Sequence, residues 1–194
     1  MSSASLKTRK RILQATIHLL EASDGRVVRM TDIAKKASIT RQALYLHFKT
    51  RAELLIQTTY YLDEIYGSEA RLMQSRAAKT GAKRLDAYVE AWGNYIPEIY
   101  GVAKALIAMS DTDEAAVKAW KKRMQDMHEG CAAAINMLDH ERRLSPNFTP
   151  EQATDFLWCL LSVQNWEHLT IECGWSQSQY IEKYKTLAQA AFIN

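Results

Sequence analysis

Residues Arg29 to Arg51 read RMTDIAKKASITRQALYLHFKTR, and the rest of the chain is best understood outward from them. Met30, Ile33, Ala34 and Ala37 fall at i, i+3, i+4 and i+7, the stripe of a short helix with one buried side. Ser38-Ile39 makes a turn. Thr40 suits the N-cap of a second helix, because its hydroxyl can accept an orphan backbone N–H. Ala43, Leu44 and Phe48 then pack inward and leave Arg41, Gln42, Tyr45 and His47 at or near the surface. The pattern is two short helices joined by a tight turn, with a further helix starting at its end. The second, from about Arg41 to His47, is a candidate reading head for DNA.

A helix is slim enough to enter the major groove of B-DNA, and its first residues meet the base edges. Arg41 suits the O6/N7 edge of guanine and Gln42 the edge of adenine. Tyr45, His47, Lys49 and Arg51 come later and suit phosphates, contacts that position rather than specify. Each has a plainer alternative: Tyr45 as a cap on the small core, His47 as a satisfied surface histidine, Arg51 as the partner of a nearby acid on the helix that starts at the end of the motif. The set together favours DNA.

Charge is divided in the same sense. Through Arg51 there are eleven Lys/Arg against three acids, a balance of +8, and the remainder has fourteen against nineteen, a balance of −5. A basic head on an acidic body is what polyanion binding by one end requires.

The preceding helix, from about Ser5 to Ala22, places Leu6, Leu13, Ile17 and Leu20 on one face with Ile12 beside it. Lys7, Arg9, Lys10 and Arg11 crowd its first turns, where cations oppose the helix dipole. Phosphate is one candidate for what rewards them; a frayed, solvated terminus is the other. Gly25, in Ser23-Asp24-Gly25, is suited to the positive φ of a helix exit.

TRKRILQATIHLL (from Thr8) followed by DIAKKASITRQALYLHFKTRAELL (from Asp32) resembles the N-terminal domain of the TetR family of bacterial repressors. The resemblance rests on Thr8, Arg9, Ile12, Leu13, Ala15, Leu19, Leu20, Asp32, Ile33, Ala34, Ala37, Leu44, Tyr45, His47, Phe48, Lys49, Leu54 and Leu55, and covers about the first third of the chain. It implies that Tyr45, His47 and Lys49 contact phosphates while Thr40, Arg41 and Gln42 approach bases. It also implies an all-α chain with a three-helix helix-turn-helix head fused to a C-terminal helical bundle, about nine helices in all, forming a two-fold dimer. Three positions depart from the pattern. Ser38 stands where the family commonly has Gly. Arg29 stands where a Thr or Ser commonly caps the first helix of the motif, which frees Arg29, with Thr31 beside it, for phosphate. Arg51 replaces a Lys and adds bidentate capacity.

Beyond the motif the chain reads as helix throughout. A long helix is expected from Thr50 to about Ser75, continuous from head to body. Another runs from about Gly81 to Tyr95, and Pro97 is expected to interrupt before a helix through Met109. Asp111-Thr112-Asp113-Glu114 looks like a capped, acid-rich helix start. The helix after it, to about Leu144, repeats Val117, Trp120, Met124, Met127, Cys131, Ala134 and Leu138 at alternating spacings of three and four, which needs neighbours along its length. Thr149-Pro150-Glu151 restarts the chain as N-cap, N1 proline and first-turn acid of a helix to about Cys173, and a last helix covers about Gln177 to Phe192. Phe156, Leu160, Val163 and Glu167 on the first of these, and Tyr180, Tyr184, Leu187 and Ala191 on the second, are the expected interface of a homodimer. Two recognition helices then read a palindrome.

The expected division is therefore a DNA-binding domain over 1–51 (motif 29–48; family-type domain about 5–65) and a ligand-binding and dimerisation domain over 52–194. By analogy with the family, a small-molecule effector would lie among Tyr61, Tyr88, Trp92, Tyr95, Met109, Trp120, Met124, Met127 and Trp158. A constitutive or architectural DNA-binding dimer without a ligand is the alternative. No nucleophile elbow, P-loop, HExxH or GxGxxG occurs, so neither catalytic nor metal residues nor a cofactor are expected. His128 and Cys131, at i and i+3 near Met124 and Met127, fall short of a metal site. Cys131, Cys159 and Cys173 read as free and mostly buried thiols of a cytoplasmic protein. No apolar run approaches the ~20 residues a membrane helix needs.

Overall fold

The computed structural model describes residues 3–194. In chain order its helices are α1 (Ser3–Glu21), α2 (Met30–Lys36), α3 (Arg41–His47), α4 (Arg51–Tyr66), α5 (Ser68–Arg76), α6 (Gly81–Ala108), α7 (Glu114–His140), α8 (Pro150–Leu160), α9 (Val163–Glu167), a π-helical turn (His168–Glu172) and α10 (Gln177–Phe192). The described residues form no strand, only an isolated bridge between Leu144 and Ile193. None of the helices is long and apolar enough to cross a membrane.

By compactness the chain forms two units. One unit takes the residues through Ile65 together with Ile99–Met124; the other takes Tyr66–Glu98 with Gln125–Asn194. α6 and α7 each contribute to both.

In the first unit, α1 buries Ile12, Leu13, Ala15, Ile17 and Leu20, but Leu6 is exposed and does not share that face in the core. α2 and α3 add Met30, Ile33, Ala34, Ala37, Leu44 and Phe48, all buried. α1 ends through two left-handed residues, Asp24 (φ 48°) and Gly25 (φ 78°). A Cβ on Gly25 would lie 2.9 Å from that of Ala108, so this exit has room only for glycine. Asp113 caps α7: its Oδ1 accepts from the backbone N–H groups of Ala115 (3.1 Å) and Ala116 (3.3 Å). In this half of α7 the buried residues are Ala116 and Ala119, while Val117 is exposed and Trp120 and Met124 are half-buried. The seam expected at Val117 therefore begins only at Met127, from which point Cys131, Ala134 and Leu138 follow it into the core of the second unit.

Three expected boundaries move, giving ten α-helices instead of about nine. α4 stops at Tyr66 because Gly67 takes the left-handed conformation (φ 65°, ψ 40°), so no continuous helix reaches Ser75. Pro97 does not break α6, which runs unbroken to Ala108. A proline inside a helix removes the hydrogen bond to the carbonyl four residues back. That carbonyl, on Gly93, instead accepts from Gln177 Nε2 at 2.7 Å. The helix expected from Pro150 to Cys173 stops at Leu160. Ser162 caps α9 by accepting from Asn165 N–H (3.2 Å), Asn165 Nδ2 donates to the Cys159 carbonyl (2.8 Å), and Trp92 Nε1 donates to the Leu161 carbonyl (2.7 Å). With its terminal carbonyls taken by side chains, α8 has a stable stop.

Candidate nucleic-acid interface

The two helices of the motif are joined through a residue that is not glycine. Ser38 sits at φ 52°. Its N–H donates to the Lys35 carbonyl (3.1 Å), and the N–H of Ile39 reaches back to Ala34 (3.0 Å). This is a Schellman closure with serine in the left-handed position usually given to glycine. The departure at Ser38 thus keeps the turn and costs backbone strain. At the other end of α2, Asp32 Oδ2 accepts from the Arg29 backbone N–H at 3.4 Å. Arg29 has no side-chain acceptor to complete a capping box, so its guanidinium remains at the surface with Thr31.

α3 begins as its sequence predicts, Thr40 Oγ1 accepting from Ala43 N–H at 3.1 Å. Leu44 and Phe48 are fully buried and anchor it. Arg9 braces its far end: NH1 donates to the His47 carbonyl (2.9 Å), NH2 to Gln57 Oε1 (3.1 Å), and the guanidinium lies 4.2 Å from the centre of the Phe48 ring. Arg11 does the same for α2, its Nε donating to the Ala37 carbonyl at 2.8 Å. Both put a cation at the negative end of a helix. Lys10 is paired with Glu64, which raises the lysine's pKa chiefly through their hydrogen bond. So the basic residues that crowd α1 are, apart from Lys7, engaged within the protein.

Arg51 is engaged too, and here the sequence expectation is corrected. Its Nε donates to the Val28 carbonyl (2.7 Å) and its NH1 to Asp113 Oδ1 (2.5 Å), with the side chain only 17% exposed. It is no surface phosphate ligand; it is an internal brace between the start of α4 and the cap of α7. On α4, Asp63 pairs in a fork with Arg123 of α7 (2.6 and 2.7 Å). The surface alternative for His47 is not met either, since the residue is half-buried.

The outer face of α3 is different. Arg41, Gln42, Tyr45 and Leu46 are exposed, and Lys49 follows them. The Arg41 guanidinium lies 5.6 Å from the Tyr45 ring centre. Arg29 at the N-cap of α2, Lys35 and Lys36 at its end, Arg41 and Lys49 are all exposed and form no ion pair among the described residues, which leaves the motif's surface positively charged. Leu46 escaped the sequence reading, yet at 87% it is the most exposed large apolar side chain among the described residues. The signal was available: it lies one turn beyond Gln42 on the polar side of the helix.

The remaining candidates divide between the two units. Tyr61 and Met109 are buried and Trp120 and Met124 half-buried in the first; Tyr88, Trp92, Tyr95 and Met127 are buried and Trp158 half-buried in the second. In the second unit Tyr88 Oη donates to the Met127 carbonyl (2.9 Å), and Trp92 packs edge-on against Tyr95. Trp158 Nε1 and Tyr180 Oη are buried without a partner among the described residues. His128 does not approach Cys131 as a ligand pair; it meets Asp155 Oδ1 at 2.9 Å.

Of the expected interface residues, Val163, Tyr180 and Tyr184 are corrected to core: they are buried within the chain, the two tyrosines stacked 4.2 Å apart, and Tyr180 is pushed to a high pKa by that burial. Phe156 and Leu187 are exposed, and Leu160, Glu167 and Ala191 half-buried. Only one of the three thiols is buried. Burial pushes the Cys131 thiol up to about 12, whereas Cys159 and Cys173 are exposed.

Residues 12–58 match the model of the bacterial regulatory proteins, tetR family. No curated protein sequence matches the chain. Among solved structures the whole chain is similar to several. A protein from Rhodococcus sp., provisionally assigned as a TetR-family transcriptional regulator, superposes with a TM-score of 0.74 at 20% identity, covering 95% of this chain and 97% of that one. NalD, the secondary repressor of the MexAB-OprM multidrug efflux pump in Pseudomonas aeruginosa, gives 0.70 at 19% identity over 99% and 98%. A provisionally assigned transcriptional regulator from Saccharomonospora viridis, in complex with choline, gives 0.74 at 14% identity over 97% and 98%. These likenesses establish the fold: an N-terminal helix-turn-helix and a helical C-terminal part. Residues 12–58 thus form an N-terminal domain of the tetR type of bacterial regulatory proteins, and the chain as a whole shares the fold of these solved structures.

Proposed function

We propose that this chain is a dimeric transcriptional repressor that binds a palindromic operator through α3 and leaves it when a small molecule binds its C-terminal part. The observation that carries the DNA reading is the division of labour among the cations. Arg9, Arg11 and Arg51 spend their guanidinium hydrogen bonds on acceptors of the protein itself, while the exposed Arg41 and Lys49 form no ion pair among the described residues. Arg41 and Gln42, with Thr40 at the start of the helix, address base edges. Tyr45, Lys49, Arg29 and Thr31 address phosphates, and His47 adds a half-buried donor beside them. Residues 1–51 hold these groups and 52–194 serve the other two tasks. Phe156, Leu160, Leu187 and Ala191 offer an apolar face to a second copy. The work is that of a cytoplasmic protein, where the DNA is.

The ligand reading has its own support. A buried donor without a partner costs about 1–3 kcal/mol, and Trp158 Nε1 is one, in the same unit as the unpartnered Tyr180 Oη. A small molecule carrying a hydrogen-bond acceptor would recover that loss. Similar folds that act as an efflux-pump repressor or hold choline agree with the reading. A ligand releases DNA only by binding the released state more tightly.

Selection from random duplexes followed by footprinting tests the proposal. A short palindromic footprint is expected, and its absence overturns the DNA reading. A footprint that no small molecule weakens favours the constitutive dimer instead.

A further inference from the structure

Leu46 is the one side chain of α3 whose chemistry the reading above leaves unused. It is 87% exposed, whereas the other exposed large apolar residues among the described residues reach at most 66%. The neighbours it shares a surface with are Gln42, one turn earlier, and Tyr45. Its own helix buries Leu44, and Phe48 caps the end inside the core, so Leu46 has no role in holding α3. An apolar side chain on the polar, basic side of a recognition helix has one natural counterpart in the major groove, the C5 methyl group of thymine.

We infer that Leu46 is a specificity-determining residue that reads a thymine methyl; this rests on the proposed function and deepens it. The position of that thymine follows from helix geometry. Leu46 lies four residues beyond Gln42, about 6 Å along the helix axis, and base pairs stack every ~3.4 Å. The thymine therefore lies within about two base pairs of the adenine that Gln42 addresses. Leucine carries no donor or acceptor, so it discriminates by methyl contact alone. It separates thymine from cytosine and from uracil through the C5 methyl, which both of those bases lack.

The test uses the full-length protein on its selected operator. Each thymine is replaced in turn by deoxyuridine, which removes only the methyl. One replacement per half-site, within two base pairs of the Gln42 position, is expected to weaken binding about fourfold, the affinity equivalent of one buried methyl. Leu46→Ala is expected to bind the unmodified operator several-fold more weakly and to be indifferent to that same replacement. Its thermal midpoint is expected to match that of the parent. If every deoxyuridine operator weakens parent and variant alike, the inference is wrong while the DNA reading stands. If Leu46→Ala changes the oligomeric state and leaves DNA binding untouched, Leu46 belongs to a contact between copies and the inference is likewise wrong. A chain that selects no sequence at all removes the proposed function with it.

Discussion

α1 and α3 carry the same kinds of residue to different ends. α1 brings Arg9, Lys10 and Arg11, and each is bonded inside the first unit: to the His47 carbonyl and Gln57, to Glu64, and to the Ala37 carbonyl. α3 brings Arg41, with Gln42 and Tyr45, and leaves all three on the surface. A guanidinium that is already satisfied has nothing to gain from a phosphate unless it first breaks its own bonds. Net charge therefore overstates the part of the head available to DNA. The cations of α1 build the platform, and those of α2, α3 and the segment after α3 are left to use it.

The largest effect should come from cutting the platform's best-buried brace. Arg51→Ala leaves the Asp113 carboxylate, 7% exposed, without its cation. Removing one partner of a buried pair costs about 3–5 kcal/mol. Denaturant unfolding of Arg51→Ala should show a loss of that order, and Arg51→Ala combined with Asp113→Asn should recover part of it. A variant of unchanged stability but weakened DNA binding would return Arg51 to the surface role its sequence position suggests.

Next come the groups that α3 leaves unengaged. Arg41→Ala and Gln42→Ala should each cost about 1–3 kcal/mol of operator affinity and relax one defined base position, with unfolding midpoints unchanged. Lys49→Ala should weaken binding to all sequences alike and lower the salt slope by about one. Loss of stability in any of these three would mean that α3 also braces the head, and the contrast with α1 would fall.

These expectations separate what a sequence can and cannot carry. Local signals were legible. Thr40 as a cap, the inward set Met30, Ile33, Ala34, Ala37, Leu44 and Phe48, and Thr149-Pro150 as a helix start are decided within a few residues, and the fold has them. Arg51 was misread because its partner lies 62 positions away. Pro97 was misread for the same reason: what replaces the lost backbone bond is Gln177, 84 positions from Gly93. Tyr180 and Tyr184 were placed on an outer face because an apolar stripe does not say which neighbour covers it. Leu46 was passed over because inward packing, not outward chemistry, is what a leucine ordinarily signals.

Ser38 gives a smaller effect and sharpens the contrast in another way. It holds a left-handed conformation that costs a side-chain-bearing residue about 1–2 kcal/mol. Glycine at this position avoids that cost but loses about 0.5–1 kcal/mol through its freer unfolded chain. Ser38→Gly should therefore stabilise the head by up to about 1.5 kcal/mol in denaturant unfolding, with base preference unchanged. A shifted base preference would mean that the turn also sets how α3 enters the groove.

The smallest effect is expected at Lys10, and it is the most exacting test of the comparison. Its pair with Glu64 is at the surface, both side chains more than half exposed, where ion pairs contribute little. Lys10→Ala should leave the unfolding midpoint where it was. The pH dependence has a definite sign: Glu64 raises the lysine's pKa, so whatever the pair contributes is complete at neutral pH and is lost only as the pH climbs through that raised value. DNA binding is the informative readout. If Lys10 stays with Glu64, operator affinity and its salt slope are those of the parent. If the slope falls by about one, as for Lys49→Ala, then Lys10 exchanges Glu64 for a phosphate in the complex. An exposed pair, unlike the partly buried bonds of Arg9 and Arg51, can be given up at small cost. The boundary between platform and reading surface would then follow burial of the cation, not the helix that carries it.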